Sequence, residues 1–544
     1  MKSPVRITLA QLNLVVGDIP GNTNRIIEAI NSARDIEKAQ LIVFQELAIT
    51  GYPPEDLLFH AGLRNRVGDA LNRIRKASSG IAVLLGYPEY ENNQIFNSAV
   101  FFHDQDVLGN YRKWCLPNYS VFDEQRYFTP GTDSLVVTVG GLKLGITLCQ
   151  DAWESTPCLA AAHDGAQMII SLNGSPFELD KQSIRESVLK ERVGDTGLPF
   201  VYQNLVGGQD ELVFDGGSFA IGADGEVCFR APAFEEGLFS IDVGIDAEGR
   251  AEMLPGVVCP VPSKDECVYK AVVSGIRDYV QKNGFEGIVL GLSGGIDSAL
   301  CMAAAVDALG PDAVEAVMMP YRYTSEMSLE DAEQQAATQG ARYRVIPIEP
   351  MVDATLLALK DVFEGLPADS AEENIQARCR GVLLMAISNK THRIVLATGN
   401  KSEMAVGYAT LYGDMAGGFA PLKDCTKTQV YRLARYRNGV SPVIPERVIT
   451  RAPSAELRPD QKDSDSLPDY EILDTILDAL MLDDSSVDQI SASGINHDVV
   501  GSVLDMVRRN EYKRRQSSPG VRISGRAFGR DWRYPITSGY GRSN

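Results

Sequence analysis

One stretch constrains this chain more than any other. Residues 245–263, IDAEGRAEMLPGVVCPVPS, carry glycine and three prolines and follow neither a helical nor a strand period. Proline has no backbone donor and glycine no Cβ, so such a stretch interrupts regular structure. On either side, short apolar runs alternate with helical patterns. At roughly 150 residues per domain, 544 residues exceed one core. The reading is a first domain at 1–245, a linker at 246–263 and a second domain at 264–544.

In the first domain, strands are expected at Val5–Leu14, Leu41–Phe44, Ile81–Leu85, Ser98–Phe102, Leu144–Leu148, Met168–Leu172 and Phe200–Asn204, with helices at Asn24–Lys38 and Lys181–Asp195. This is a layered α/β pattern. The second domain opens with a helix at Lys264–Asn283. Strand Gly287–Leu290, a helix from Ile296, and strands Val314–Met319, Arg344–Pro347 and Arg393–Thr398 follow. That βαβ rhythm predicts a Rossmann-like parallel sheet with helices on both faces. Residues 441–468 read as a long mobile loop of the kind that covers active sites, and Tyr470–Leu480 as a helix.

Charge and cysteine usage narrow the function. A net charge of −20 disfavours nucleic-acid partners. From Arg508 to Arg533, however, nine Lys/Arg face two Asp/Glu, which reads either as a solvated tail or as a surface for phosphates. No apolar run reaches the ~20 residues of a membrane span, and the start of the chain reads as a strand rather than a signal peptide. Nine scattered cysteines without a CxxC pair suggest free thiols and a cytoplasmic location. Five histidines, none at metal-ligand spacing, make a zinc site unexpected.

Three reactive residues lie near strand ends: Glu46 after LIVFQ, Lys113 after GNYR, and Cys149 after LGITL. A thiol becomes a nucleophile when it loses its proton, and a carboxylate can take that proton. An ammonium nearby favours the thiolate and the oxyanion formed on an attacked amide. The segments FQELAITGYPPEDL, YRKWCLPNYSVFDEQRYFTPG and GITLCQDAW stand in the order and spacing of the nitrilase/amidase family, which residues 4–242 resemble. The resemblance implies a four-layer α-β-β-α sandwich. It casts Glu46 as general base, Cys149 as nucleophile, Lys113 as stabiliser of the tetrahedral intermediate and Glu124 as a second, orienting glutamate. Tyr119, Ser175 and Lys181 match residues that hold glutamine.

The segment GIVLGLSGGIDSALCMAAAVDAL reads as strand, glycine turn, helix. Gly291, Gly294 and Gly295 allow close backbone approach, and the helix N-terminus offers free amides to an anion. Ser293 and Ser298 add hydroxyls. The GK[ST] ending of a Walker loop is absent, so no loop lysine reaches the phosphates. SGGIDS resembles the pyrophosphate loop of ATP-pyrophosphatases. On that resemblance Gly291, Leu292, Ser293, Gly294, Gly295, Ile296, Asp297 and Ser298 are ATP contacts.

Leu396–Ala434 and the closing EYKRRQSSPGVRISGRAFGRDWRYPITSGY resemble the NAD synthetase family, over about residues 264–536. That resemblance makes Thr398 a further ATP contact, with Arg393 near it. It places Asn374, Glu403 and Lys513 at deamido-NAD, Asp297 and Glu403 at magnesium, and Lys427 and Ser454 as further contacts. It implies Mg2+, ATP as co-substrate, no tightly bound organic cofactor, and a homo-oligomer. Ammonia freed from glutamine would pass through a covered channel to an acyl adenylate of deamido-NAD. Two alternatives remain at this stage: an amidotransferase acting on another adenylated acceptor, and an RNA-binding protein on the same scaffold.

Overall fold

The computed structural model describes residues 4–459 and 461–539. The chain forms two compact units, Met1–Pro262 and Ser263–Asn544. Among the described residues no helix is long and apolar enough to cross a membrane. The nine cysteines are free thiols.

The first unit is built on two sheets. One has seven strands in the order Ala251–Met253, Gly237–Ile245, Val5–Gln11, Leu41–Val43, Ala82–Glu91, Gln94–His103, Asp106–Arg112. The other has six, in the order Val227–Arg230, Phe219–Ile221, Phe200–Asn204, Met168–Asn173, Leu142–Leu148, Val136–Val139. Each holds three adjacent parallel strands flanked by antiparallel ones.

Strand alternation builds the layers. Leu41 and Val43, Ala82 and Leu84, and Met168, Ile170 and Leu172 enter one core between the two sheets. Their neighbours Ile42, Val83 and Leu85 turn outward onto helices Ile19–Asp35 and Ala61–Ala77. Ile169 turns onto helices Ser155–His163 and Lys181–Thr196. Both faces of each sheet are buried, which is why these strands are apolar almost throughout. The result is an α-β-β-α sandwich. Helix Ile19–Asp35 shows the local logic: Asp18 caps it by accepting from Gly21 N, a proline sits in its first turn, and Ile19, Ile26, Ile30 and Ala33 form its buried stripe.

Part of the 246–263 stretch is regular after all. Asp246 accepts from the Arg250 amide, Gly249 takes φ +81°, and the chain returns as strand Ala251–Met253 against Gly237–Ile245. The glycine marks a hairpin turn rather than a linker. Residues 257–259 then lie along Arg230 at the edge of the other sheet.

The second unit holds a four-stranded parallel sheet in the order Arg342–Val345, Val314–Met318, Ile288–Gly291, Ile394–Leu396. The chain moves outward one way from Ile288–Gly291 and then crosses to its other side. The carboxyl end of that strand is therefore a topological switch point, where α/β sheets bind ligands. Helix Ser370–Thr391 covers one face through Ile375, Cys379 and Leu384. Helix Ile296–Leu309 packs on strands Ile288–Gly291 and Val314–Met318.

The expected mobile loop at 441–468 is structured in part. It contains helix Glu446–Thr450, and Arg451 and Glu456 tie it to other segments. The basic C-terminal stretch is not simply solvated either. Arg514 is buried and paired with Glu511, and Arg522 pairs with Asp531.

Candidate active sites

In the first unit the reactive residues meet at one sandwich edge. Glu46 follows strand Leu41–Val43, and Lys113 follows Asp106–Arg112, which two reversals make parallel to it. Cys149 follows Leu142–Leu148 and opens a short helical turn, Cys149–Trp153. Its φ is +44°, a conformation that costs a non-glycine residue on the order of 1–3 kcal/mol and is retained at functional turns. The first amides of such a turn lack intrahelical partners and suit an oxyanion.

Glu46, Lys113, Glu124 and Cys149 are all buried. Lys113 Nζ lies 2.8 Å from Glu46 Oε1 and 2.8 Å from Glu124 Oε2. Asn97 Nδ2 donates to Glu46 Oε1 at 2.7 Å, and the Gly174 amide to Glu46 Oε2 at 2.8 Å. The same amide interacts with the Cys149 sulfur. Burial pushes the Cys149 thiol up, Glu46 adds to this, and Lys113 opposes it. That direction favours the neutral thiol at Cys149. Burial also works against the Lys113 charge, but Glu124 and Glu46 outweigh it and keep the ammonium charged. Burial raises Glu124 to about 7, with Lys113 opposing and Glu46 adding.

The three expected glutamine contacts border this cluster. Tyr119 Oη donates to Gln150 Oε1 at 2.7 Å. Lys181 Nζ stands 4.9 Å from the Trp153 ring centroid. Both therefore touch the Cys149–Trp153 turn. Ser175 follows Gly174, and its Oγ accepts from Arg185 Nε at 3.1 Å.

Sequence reasoning missed four supporting residues. Tyr52 Oη donates to Glu124 Oε1 at 3.2 Å. Asn97 holds Glu46. Arg185, fully buried, pairs with Asp215 at 2.9 Å and donates to the carbonyls of Ser175 and Pro176. Asp151 accepts from Tyr111 Oη and from the amides of Trp114, Cys115 and Leu148, stapling the Lys113 exit to the Cys149 turn. Burial raises the Asp151 carboxyl to about 6. Its place two residues after Cys149 was the available signal. Asn97, inside an apolar strand, gave none.

In the second unit the glycine turn stands at the switch point. Gly294 has φ +79°, and a Cβ there would meet Ser328 O at 2.6 Å. Ser298 Oγ accepts from the Ser293 amide at 3.2 Å and donates to Gly295 O at 3.0 Å, holding the turn open. The pairing Leu290↔Leu396 sets Thr398 level with Leu292 on the adjacent strand exit. Asn400 Nδ2 donates to Asp297 Oδ1 at 2.8 Å while its own oxygen caps helix Lys401–Val406.

Lys427 Nζ joins Asp297 Oδ2 at 2.6 Å and Glu403 Oε1 at 3.0 Å. Burial raises Glu403 to about 7, with Lys427 opposing and Asp297 adding. Among the described residues no group of three or more His, Cys, Asp or Glu side chains is arranged for a metal. The convergent pair Asp297 and Glu403 nevertheless fits magnesium, which takes one or two carboxylates and completes its shell with substrate phosphate and water.

Asn374 and Lys513 meet the same backbone segment. Asn374 Oδ1 accepts from Thr410 Oγ1 at 2.8 Å, and Lys513 Nζ donates to Gly407 O and Ala409 O at 2.8 and 2.9 Å. That segment follows the helix carrying Glu403. Ser454 closes its own loop through Gln461 O, while neighbouring Arg451 and Glu456 reach Gly294, Ser325 and Ser328. Arg393 is not brought to the site. It precedes strand Ile394–Leu396, at the amino end of the parallel strands, and donates to Ala313 O and Asp312 O.

Comparison with known proteins covers both units. The Carbon-nitrogen hydrolase family profile matches residues 6–251, and the NAD synthase profile residues 268–517. A glutamine-dependent NAD(+) synthetase of Acinetobacter baylyi is 48% identical over 544 residues, covering 99% of each chain. One of Thermotoga maritima is 43% identical, covering 98% of each. The solved structure of the glutamine-dependent NAD+ synthetase of Acinetobacter baumannii in complex with adenosine diphosphate superposes with TM-score 0.80 at 43% identity. It covers 99% of this chain and 100% of that one.

Proposed function

The chain belongs to the glutamine-dependent NAD(+) synthetase family, and on that premise we propose how its two sites share the reaction. The activity is that of a carbon–nitrogen ligase making NAD with nitrogen taken from glutamine.

Residues 1–245 act as the amidase. Tyr119, Ser175 and Lys181 hold glutamine beside the Cys149 turn. Glu46 takes the thiol proton as Cys149 sulfur bonds to the amide carbon. Lys113 and the first amides of the turn stabilise the oxyanion. Glu46 returns the proton to the departing nitrogen, ammonia leaves, and water hydrolyses the thioester to glutamate. Glu124 fixes Lys113. With Glu46 as the base and Lys113 as the cation, the site needs no histidine.

Residues 264–544 act as the synthetase. Gly291–Ser298 and Thr398 bind ATP, and Asn374, Glu403 and Lys513 bind deamido-NAD. The nicotinate carboxylate attacks the α-phosphorus, pyrophosphate leaves, and ammonia displaces AMP from the acyl adenylate. Asp297 and Glu403 would hold magnesium, which when bound neutralises charge on the phosphates. Lys427 keeps the two carboxylates together. Ammonia is used as the neutral molecule, so a covered passage serves the transfer. The reading includes a cytoplasmic homo-oligomer.

The observation that carries this reading is the pairing of a buried Glu46–Lys113–Glu124 cluster around Cys149 with a glycine turn at the switch point of a parallel sheet, in one chain. The test is mass balance with glutamine, ATP and deamido-NAD. Glutamate, AMP and NAD should form in equal amounts. ADP in place of AMP, or another amide in place of NAD, would overturn it.

A further inference from the structure

As the proposed ATP site, the glycine turn would meet a polyphosphate without a lysine of its own. Two nearby cations are already committed. Lys427 is divided between Asp297 and Glu403. Arg451 spends one terminal nitrogen on Gly294 O at 2.7 Å and the other on Ser328 Oγ at 3.1 Å.

Arg380 is different. It lies on helix Ser370–Thr391, half-buried, and its Nε donates to Met319 O at 3.0 Å. Among the described residues its two terminal nitrogens have no hydrogen bond, and it forms no ion pair. The nearest carboxylates acting on it are Asp414 and Glu456, neither in contact. Burial lowers its pKa, as expected for a desolvated and uncompensated cation.

Its position is fixed from two sides. A Cβ on Gly291 would lie 3.2 Å from Met319 Cε and 3.6 Å from Leu384 Cδ1. Met319 and Leu384 therefore flank the last residue of strand Ile288–Gly291. Arg380 precedes Leu384 by four residues, about one helical turn of ~5.4 Å. The helix runs back against the parallel strands, so that turn carries Arg380 past Gly291 toward Leu292 and Ser293.

We propose that Arg380 is the cation that receives the phosphates of ATP at the glycine turn, its two terminal nitrogens forming a fork for phosphate oxygens. A planar guanidinium with both ends free matches that geometry. A partly desolvated guanidinium without an ion-pair partner gains when an anion binds it. This rests on the reading of the glycine turn as the ATP site and deepens it.

The experiment measures equilibrium binding of ATP, adenosine and deamido-NAD to the full chain and to Arg380→Gln, Arg380→Lys and Ser298→Ala, with thermal unfolding as a check of folding. Arg380→Gln should weaken ATP about 10- to 100-fold and leave adenosine within about twofold. Arg380→Lys should lie between, and serves if the glutamine variant fails to fold. Equal loss for adenosine and ATP would make Arg380 a packing residue and overturn the proposal. So would unchanged ATP binding, or loss confined to deamido-NAD. If Ser298→Ala keeps full ATP affinity while Arg380→Gln loses it, the glycine-turn reading fails, and the fork proposed at that turn is overturned with it although Arg380 still binds ATP. If only Ser298→Ala weakens ATP, the Arg380 proposal fails alone.

Discussion

Gly86 leaves no room for a side chain against Glu46: a Cβ there would lie 2.8 Å from Glu46 Cα, 2.6 Å from Gln45 O and 2.5 Å from Leu47 N. Strand Ala82–Glu91 thus comes as close to the proposed base as a backbone can. The carboxylate is held from the other side by Lys113, Asn97 and Gly174, which leaves it no slack.

Gly86→Ala must push the 45–47 backbone aside, because strand pairing on both edges fixes Ala82–Glu91. A displacement near 1 Å in a catalytic group costs on the order of 10²-fold. Glutamine-dependent NAD formation should fall by about that factor, with ammonia-dependent formation unchanged. Parallel assays with the two nitrogen sources check it, and equal rates in mutant and parent would remove the constraint from Gly86.

Glu124 gives a pH signature. Burial raises its carboxyl from the ordinary 4.5 to about 7, so the folded chain holds that proton more tightly than the unfolded chain. The resulting stability is fully present below 4.5 and is lost as pH rises toward 7. Glu124→Gln removes the titration. The parent should therefore lose on the order of 1–3 kcal/mol relative to Glu124→Gln between about pH 4.5 and 7. Urea unfolding of both across that range measures it, and parallel curves would show that Glu124 does not titrate there.

Gly294→Ala tests the turn in the second unit. The position needs φ +79°, and the added methyl would meet Ser328 O at 2.6 Å. Alanine in such a conformation costs more than about 1 kcal/mol, and the backbone clash adds to it. The turn must deform, so synthesis should fall with glutamine and with ammonia alike. Glutamine-dependent loss alone would contradict the assignment of this turn to the shared synthetase step.

Most of the strands were legible because they obey local rules, whereas Glu46, Lys113 and Cys149 stood out through the resemblance of their surrounding segments to the nitrilase/amidase family. Leu41–Val43 and Met168–Asn173 are buried on both faces and read as apolar runs between turn residues. The partners of Lys427, a residue named only through the family resemblance, show what was out of reach. Lys427 begins a helix at Lys427–Val440, and only the fold sets its ammonium between Asp297 and Glu403. Asn97 and Arg185 are similar: each is a polar side chain whose partner lies far along the chain, and no period announces such a pair. The 246–263 stretch misled for another reason. Glycine suits a linker and a tight turn equally, and only the partner strand decides between them.

Cys149→Ala separates the two chemistries most directly. The sulfur is the atom that bonds to glutamine in the proposed route, and its loss leaves Glu46 and Lys113 paired and buried as before. A buried cysteine replaced by alanine loses one sulfur's worth of packing, on the order of 1 kcal/mol, so the fold should survive. Glutaminase turnover and glutamine-dependent synthesis should disappear, while ammonia-dependent synthesis keeps most of its rate. Asp297→Asn should do the opposite kind of damage, stopping synthesis from either nitrogen source, because Asp297 stands at the helix start beside the glycine turn and holds Lys427. NAD formation in the two variants, assayed once with glutamine and once with ammonium, distinguishes the roles. Loss of ammonia-dependent activity in a folded Cys149→Ala protein would show that the sulfur serves more than the amide cleavage, and the division of labour would have to be redrawn.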